Sequence, residues 1–96
     1  MRPSEALAKH RDEVLAILAH YPVSNPRIFG STARGEDHEQ SDLDILVEAS
    51  SDLSGFDLAR MELQLEALLG VRVDVRTPGE FSAGVAARVG ADQRPL

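Results

Sequence analysis

The segment that most restricts the fold is Asp42 to Glu48, DLDILVE. Side chains alternate across a strand, so Leu43, Ile45 and Val47 share one face while Asp42, Asp44 and Leu46 share the other. A strand with one aliphatic face must bury it, and one with aspartates opposite must keep that side wet or charge-compensated. The chain therefore needs a sheet covered on one side and open on the other.

The remaining pattern supplies the cover. Ser4 as N-cap with Leu7, Val14, Ile17 and Leu18 predicts a helix over 4–20, ended by Tyr21-Pro22. Ser24-Asn25-Pro26 reads as a turn, and Arg27-Ile28-Phe29 as a short strand running into Gly30-Ser31. Residues 30–41 are small and polar, with room for a short helix from Ser31. Ser54 and Asp57 form a capping box for a helix carrying Leu58, Met61, Leu65, Leu68 and Leu69, closed by Gly70. Val71 to Arg76, VRVDVR, alternates strictly and places Asp74 between Arg72 and Arg76 on the polar face. Thr77-Pro78-Gly79-Glu80 carries start signals for a last helix bearing Phe81, Val85 and Val89, which Gly90 should stop. The expected fold class is α+β, an α/β sandwich. It has a small mixed three-stranded sheet, helices packed mainly on one face, and a single domain over 1–96.

Composition narrows the function. With 96 residues there is no space for a repeat array or a second domain. The absence of cysteine excludes disulfides, a thiol nucleophile and a cysteine-ligated zinc site. Net charge is −6, and the basic residues are scattered singly. That disfavours nucleic acid and suits a basic protein partner. No apolar run approaches membrane-span length, and the N-terminal stretch lacks the apolar core of a signal peptide, so no membrane role and a cytoplasmic location are expected.

Asp42 and Asp44 project from one strand face, and Asp74 from the polar face of its own strand. If those strands are neighbours, about 5 Å apart, the three carboxylates converge. At about 4 Å each pair repels by roughly 4 kcal/mol at an effective dielectric of 20. Protonation or a cation between them relieves this, and oxygen-only ligands favour Mg²⁺ or Mn²⁺. The alternative is that Asp42 and Asp44 are ordinary solvated aspartates. Gly30-Ser31 shifts the balance. At a strand end before a helix, its outward N–H groups and the Ser31 hydroxyl suit a phosphate. Arg34 either reaches a phosphate or stays in solvent. Arg72 and Arg76 either act on Asp74 or phosphate, or simply solubilise the strand. His10, His20 and His38 show no metal spacing, and Ser31 lacks a serine-hydrolase arrangement. Glu36, Asp37 and Glu39 read as a solvated loop.

Gly30-Ser31, ten residues, then Asp42-Leu43-Asp44 matches the nucleotidyltransferase signature G-S-x10-D-x-D. The run FGSTARGEDHEQSDLDILVE resembles the minimal nucleotidyltransferases of the polymerase-beta-like superfamily, the antitoxin halves of HEPN/minimal-nucleotidyltransferase pairs. The resemblance covers nearly the whole chain. It implies that Asp42, Asp44 and Asp74 hold two Mg²⁺ ions on ATP, and that Asp74 shares the ion activating the acceptor. It further implies that Gly30 and Ser31, with Arg34 a candidate beside them, bind phosphates, and that AMP passes to a tyrosine hydroxyl of a cognate HEPN RNase toxin, silencing it.

Two other roles compete with the protein-adenylyltransferase role that the resemblance implies. One is a non-catalytic antitoxin that occludes the toxin sterically. The other is a transferase for a small molecule such as an antibiotic, but larger relatives of that kind use an extra helical domain that this chain lacks. A sheet with one open face makes half a pocket, so a stable hetero-complex with the helical toxin is expected.

Overall fold

The computed structural model of the chain describes all 96 residues. Helix α1 (Pro3–Leu18) leads into strand β1 (Val23–Phe29), the short helix α2 (Gly30–Arg34) and strand β2 (Leu43–Ala49). Helix α3 (Gly55–Leu69) and strand β3 (Val73–Arg76) follow. A single 3-10 turn (Pro78–Glu80), helix α4 (Ala83–Asp92) and strand β4 (Arg94–Pro95) complete the chain. The sheet runs β3-β2-β1-β4, with β2 and β3 parallel and the other pairs antiparallel.

The mixed α+β class holds, but the sheet has four strands rather than three. The fourth is the two-residue Arg94–Pro95 pairing with Ile28 and Arg27. Leu96 anchors it by donating its N–H to the Pro26 carbonyl at 3.1 Å and burying its side chain in the main core. Strand β1 is also longer than expected. Asn25, at φ 50°, and Pro26 form an irregularity inside it, where the register shifts between Ser24 and Arg27. Proline offers no ladder donor, so this bulge is where the strand can hold one.

Leu43, Ile45 and Val47 are wholly buried, together with Leu7, Val14 and Leu18 of α1 and Met61, Leu65 and Leu69 of α3. Val73 and Val75 join the same core. Helix α3 begins and ends as its sequence says: the Ser54 hydroxyl accepts from the Asp57 N–H at 3.1 Å, and Gly70 adopts φ 70° as C-cap. Helix α4 instead covers part of the opposite face. Val89 packs on Phe29 and Leu46, and Phe81 meets Phe29 edge-on with ring centroids 5.7 Å apart.

Three boundary signals worked differently from expectation. Thr77 caps only the 3-10 turn, and α4 starts after Ser82, whose hydroxyl accepts from the Val85 N–H. Gly90 lies inside α4, because the pairing of β4 with β1, not a glycine, sets the exit. Helix α1 starts at Pro3 after Arg2, since the Ser4 N–H is taken by the Asp37 carboxylate at 2.8 Å. Asp37 is therefore buried against a helix terminus and is not part of a solvated loop. Burial opposes its charge, but the hydrogen bonds from Ser4 and from its own backbone win and hold its pKa below the usual value. No helix is long and apolar enough to cross a membrane.

Candidate active site

The site forms at the end of the sheet where β1 finishes and β2 and β3 begin. Phe29 pairs with Asp44, and Asp44 stands in parallel register with Asp74. The hydrogen-bonding pattern thus fixes two carboxylates on adjacent strands, about 4.8 Å apart along the ladder direction. Asp42, two residues earlier, is exposed at the rim; Asp44 and Asp74 are half-buried.

Gly30 follows Phe29 directly, at φ 72°. A Cβ there would lie 2.6 Å from the Asp44 Oδ2, closer than a side chain is tolerated. Glycine is needed at this position twice over, for its left-handed conformation and for the carboxylate beside it. Ser31 is the second residue of α2, whose first N–H groups have no partner within the helix.

The electrostatics are those of crowded anions. Burial pushes the Asp44 carboxyl up to about 6, with Asp74 and then Asp42 adding to the rise and Arg76 and Arg34 opposing it. Asp74 is partly neutralised by Arg76, whose Nη2 and Nε donate to the same Oδ2 at 3.0 and 3.1 Å. This pairing raises the guanidinium pKa of Arg76 further.

Not every expected convergence occurs. As the side chains stand, no three acidic or histidine residues gather into a ready cation cluster. Arg76 draws the Asp74 carboxylate to itself, and Asp42 stays at the rim. Arg34 is likewise engaged: its Nη1 donates to Asp92 at 2.8 Å and its Nε to Glu36 at 2.6 Å, tying α2 to α4. Arg72 is exposed. The donor set of Asp42, Asp44 and Asp74 is oxygen-only, which fits a hard cation such as Mg²⁺ in ligand type.

Two glutamates were missed in the sequence. Glu62 accepts from the Val75 N–H at 2.9 Å and Glu66 from the Val73 N–H at 3.0 Å. Together they fasten the free edge of β3 on either side of Asp74. Burial raises the Glu62 carboxyl against the hydrogen bond from Val75, and the neighbouring Asp74 raises it further. The one available signal was position: Glu62 and Glu66 each follow a core residue, Met61 and Leu65, and so sit at the border of the apolar face.

A nucleotidyltransferase domain model matches residues 7–96. A protein of Methanocaldococcus jannaschii assigned as a protein adenylyltransferase is 46% identical over 65 residues, covering 68% of this chain and 70% of that one. The protein adenylyltransferase MntA of Thermococcus cleftensis is 37% identical over 83 residues, covering 86% and 81%. A solved structure assigned as a minimal nucleotidyltransferase superposes with a TM-score of 0.85 at 40% identity, covering 97% of this chain and 95% of the other. The fold is shared, at 18% identity and a TM-score of 0.69, with a chain from a complex of tri-AMPylated Shewanella oneidensis HEPN toxin with MNT antitoxin. That match covers 92% of this chain and 69% of the other. With its glycine-serine bend and its two aspartates at the start of β2, this chain belongs to the nucleotidyltransferase domain family, among the minimal nucleotidyltransferases.

Proposed function

We propose that this single-domain chain acts in the cytoplasm as an antitoxin, transferring AMP from ATP to a tyrosine hydroxyl of a cognate HEPN-type RNase toxin and so neutralising it. The observation that carries this reading is the register of Asp44 with Asp74 beside the bare backbone of Gly30. Relatives named protein adenylyltransferase support the reaction, and the toxin complex that shares the fold supports the acceptor.

In this reading the N–H groups at the start of α2 and the Ser31 hydroxyl donate to the β- and γ-phosphates. Asp42, Asp44 and Asp74 are the residues that would hold two Mg²⁺ ions, which when bound neutralise the triphosphate and favour loss of pyrophosphate. Asp74 Oδ2 is engaged by Arg76, which leaves Oδ1 to accept the acceptor's hydroxyl proton. The acceptor oxygen bonds to the α-phosphorus as the bond to the bridging oxygen breaks, and pyrophosphate departs. Positioning and charge neutralisation supply most of the rate. Arg34 acts here by holding α2 against α4.

The hold of Arg76 on Asp74, with no ready cation cluster, favours a second reading in which the chain is a non-catalytic antitoxin that blocks its toxin sterically. One experiment separates the two. The protein is incubated with the product of the adjacent reading frame, ATP and Mg²⁺, and the acceptor is weighed by mass spectrometry. Added AMP that disappears in Asp44→Ala supports transfer. An unmodified acceptor that is nonetheless inhibited in a tight complex supports occlusion.

A further inference from the structure

The free edge of β3 and helix α3 enclose a groove of about 540 Å³ that begins at Asp42 and Asp74 and runs beneath Ala59 and Leu63. Leu63 is 67% exposed, and Phe56 on the same helix is 85% exposed. Phe56, Ala59 and Leu63 are spaced i, i+3 and i+7, so they form one apolar stripe along the outer side of α3, leading to the carboxylates. Apart from Met1, Phe56 and Leu63 are the only large hydrophobic side chains standing in solvent. An unburied phenylalanine and leucine aligned on one helix face mark a contact surface.

The order of parts across the sheet says what should arrive there. Gly30 and Ser31 follow the end of β1, Asp42 and Asp44 lie at the start of β2, Asp74 is on β3, and the groove lies beyond. In-line displacement places the leaving pyrophosphate and the attacking oxygen on opposite sides of the α-phosphorus. With the phosphates gripped at Gly30 and Ser31, the acceptor must approach from the β3 side. That is the side of the groove.

Its chemistry selects the occupant. Asp42, Glu62, Glu66 and Asp74 face Arg72 and Arg76, and Arg76 is already paired with Asp74, so the groove keeps an acidic excess. The outward N–H groups of Val73 and Val75 are taken by Glu66 and Glu62, so a partner cannot extend the sheet through them. A second copy of this chain would bring another net −6 to an acidic surface. We propose that the groove and the Phe56–Ala59–Leu63 stripe form the docking surface for the acceptor protein, whose docked segment presents an apolar anchor flanked by basic side chains and brings its hydroxyl to Asp74. The purpose of the surface rests on the transferase reading; its being a docking surface does not.

The test uses the full-length chain with the protein of the adjacent reading frame as the acceptor probe. Phe56→Asp and Leu63→Asp alter exposed positions and should leave the fold intact. Each is expected to raise KM for the acceptor about tenfold or more, with KM for ATP unchanged, and an unaltered acceptor KM overturns the proposal. Binding is read separately. Because the chain has no cysteine, Leu63→Cys and, as a control on exposed α1, Ala16→Cys each carry one photo-crosslinker. Crosslinking to a basic, apolar acceptor segment from position 63 and not from 16 supports docking. Equal crosslinking from both, none from 63, or crosslinking between two copies overturns it. If position 63 crosslinks the acceptor but no AMP is transferred, the docking surface stands and the transferase reading falls.

Discussion

Along β2, Leu43, Ile45 and Val47 lie wholly out of water beneath α1 and α3, whereas on the opposite face Asp44 is only half-buried, between Gly30 of α2 and Asp74, and Asp42, just before the strand, is exposed. On the first face neighbours agree, since each aliphatic side chain meets others from two helices and a parallel strand. On the second face Asp44 lies beside Asp74 and its carboxyl is pushed up to about 6 by burial and like charge. Full burial of a large aliphatic side chain stabilises by roughly 1.5–3 kcal/mol, so the first face can carry the unfavourable charge gathered on the second. Stability and chemistry are divided between the two sides of one strand.

The covered face should show the largest stability effect. Ile45→Ala removes a side chain with no exposed surface and is expected to cost about 3–4 kcal/mol. Val89→Ala, in the three-residue cluster beneath α4, should cost about 1–2 kcal/mol. Urea unfolding of the two variants measures the contrast. Equal losses would mean that α4 shares the core's burden and that the faces are not divided as described.

The open face should respond with the opposite sign. The carboxyl of Asp44 titrates near 6 in the folded state, above its ordinary 3.8, so the folded form holds the proton more tightly than the unfolded chain does. Stability therefore falls as pH rises from about 4 to about 6 and stays lower above that. Asp44→Asn cannot ionise. It should gain about 2 kcal/mol near pH 7.5, after discounting for the part of the carboxylate that stays in water, and the gain should vanish toward pH 4. Urea unfolding with a chelator present measures this. A variant less stable than the parent at pH 7.5 would show that Asp44 is not in the strained position assigned to it.

What the sequence disclosed follows the same division. The alternation in 42–48 and 71–76, the Ser54–Asp57 cap and Gly70 were readable because each is a local pattern with one physical meaning. The spacing from Gly30-Ser31 to Asp42 and Asp44 was readable as a resemblance to a family signature, to which strand alternation added only that the two aspartates share a face. Strand β4 was not, since Arg94–Pro95 has no periodicity and pairs only because Leu96 is drawn into a distant core. The bulge at Asn25-Pro26 looked like a turn because turn and bulge use the same residues. The grip of Arg76 on Asp74, and those of Glu62 and Glu66 on the β3 backbone, depend on rotamers and helix placement that spacing does not encode.

Asp37 offers the finest test, because it is an aspartate of the opposite kind. Its Oδ2 accepts the Ser4 N–H at 2.8 Å at the start of α1, and its pKa is lowered where that of Asp44 is raised. A lowered pKa means that its contribution is fully present above the unfolded value near 3.8 and is lost as pH falls through the lower folded value. Asp37→Asn keeps an oxygen acceptor but removes the charge that favours a helix N-terminus, so it should cost about 1 kcal/mol at neutral pH. The cost should shrink below pH 4, as the native carboxyl itself becomes protonated. The same Asp-to-Asn change at positions 37 and 44 would then move stability in opposite directions at pH 7.5. That crossing arises if the fold stabilises the charge of Asp37 as a helix cap and disfavours that of Asp44 through burial and like charge. Parallel shifts would place both aspartates in equivalent surroundings and remove the electrostatic argument for a cation at Asp44.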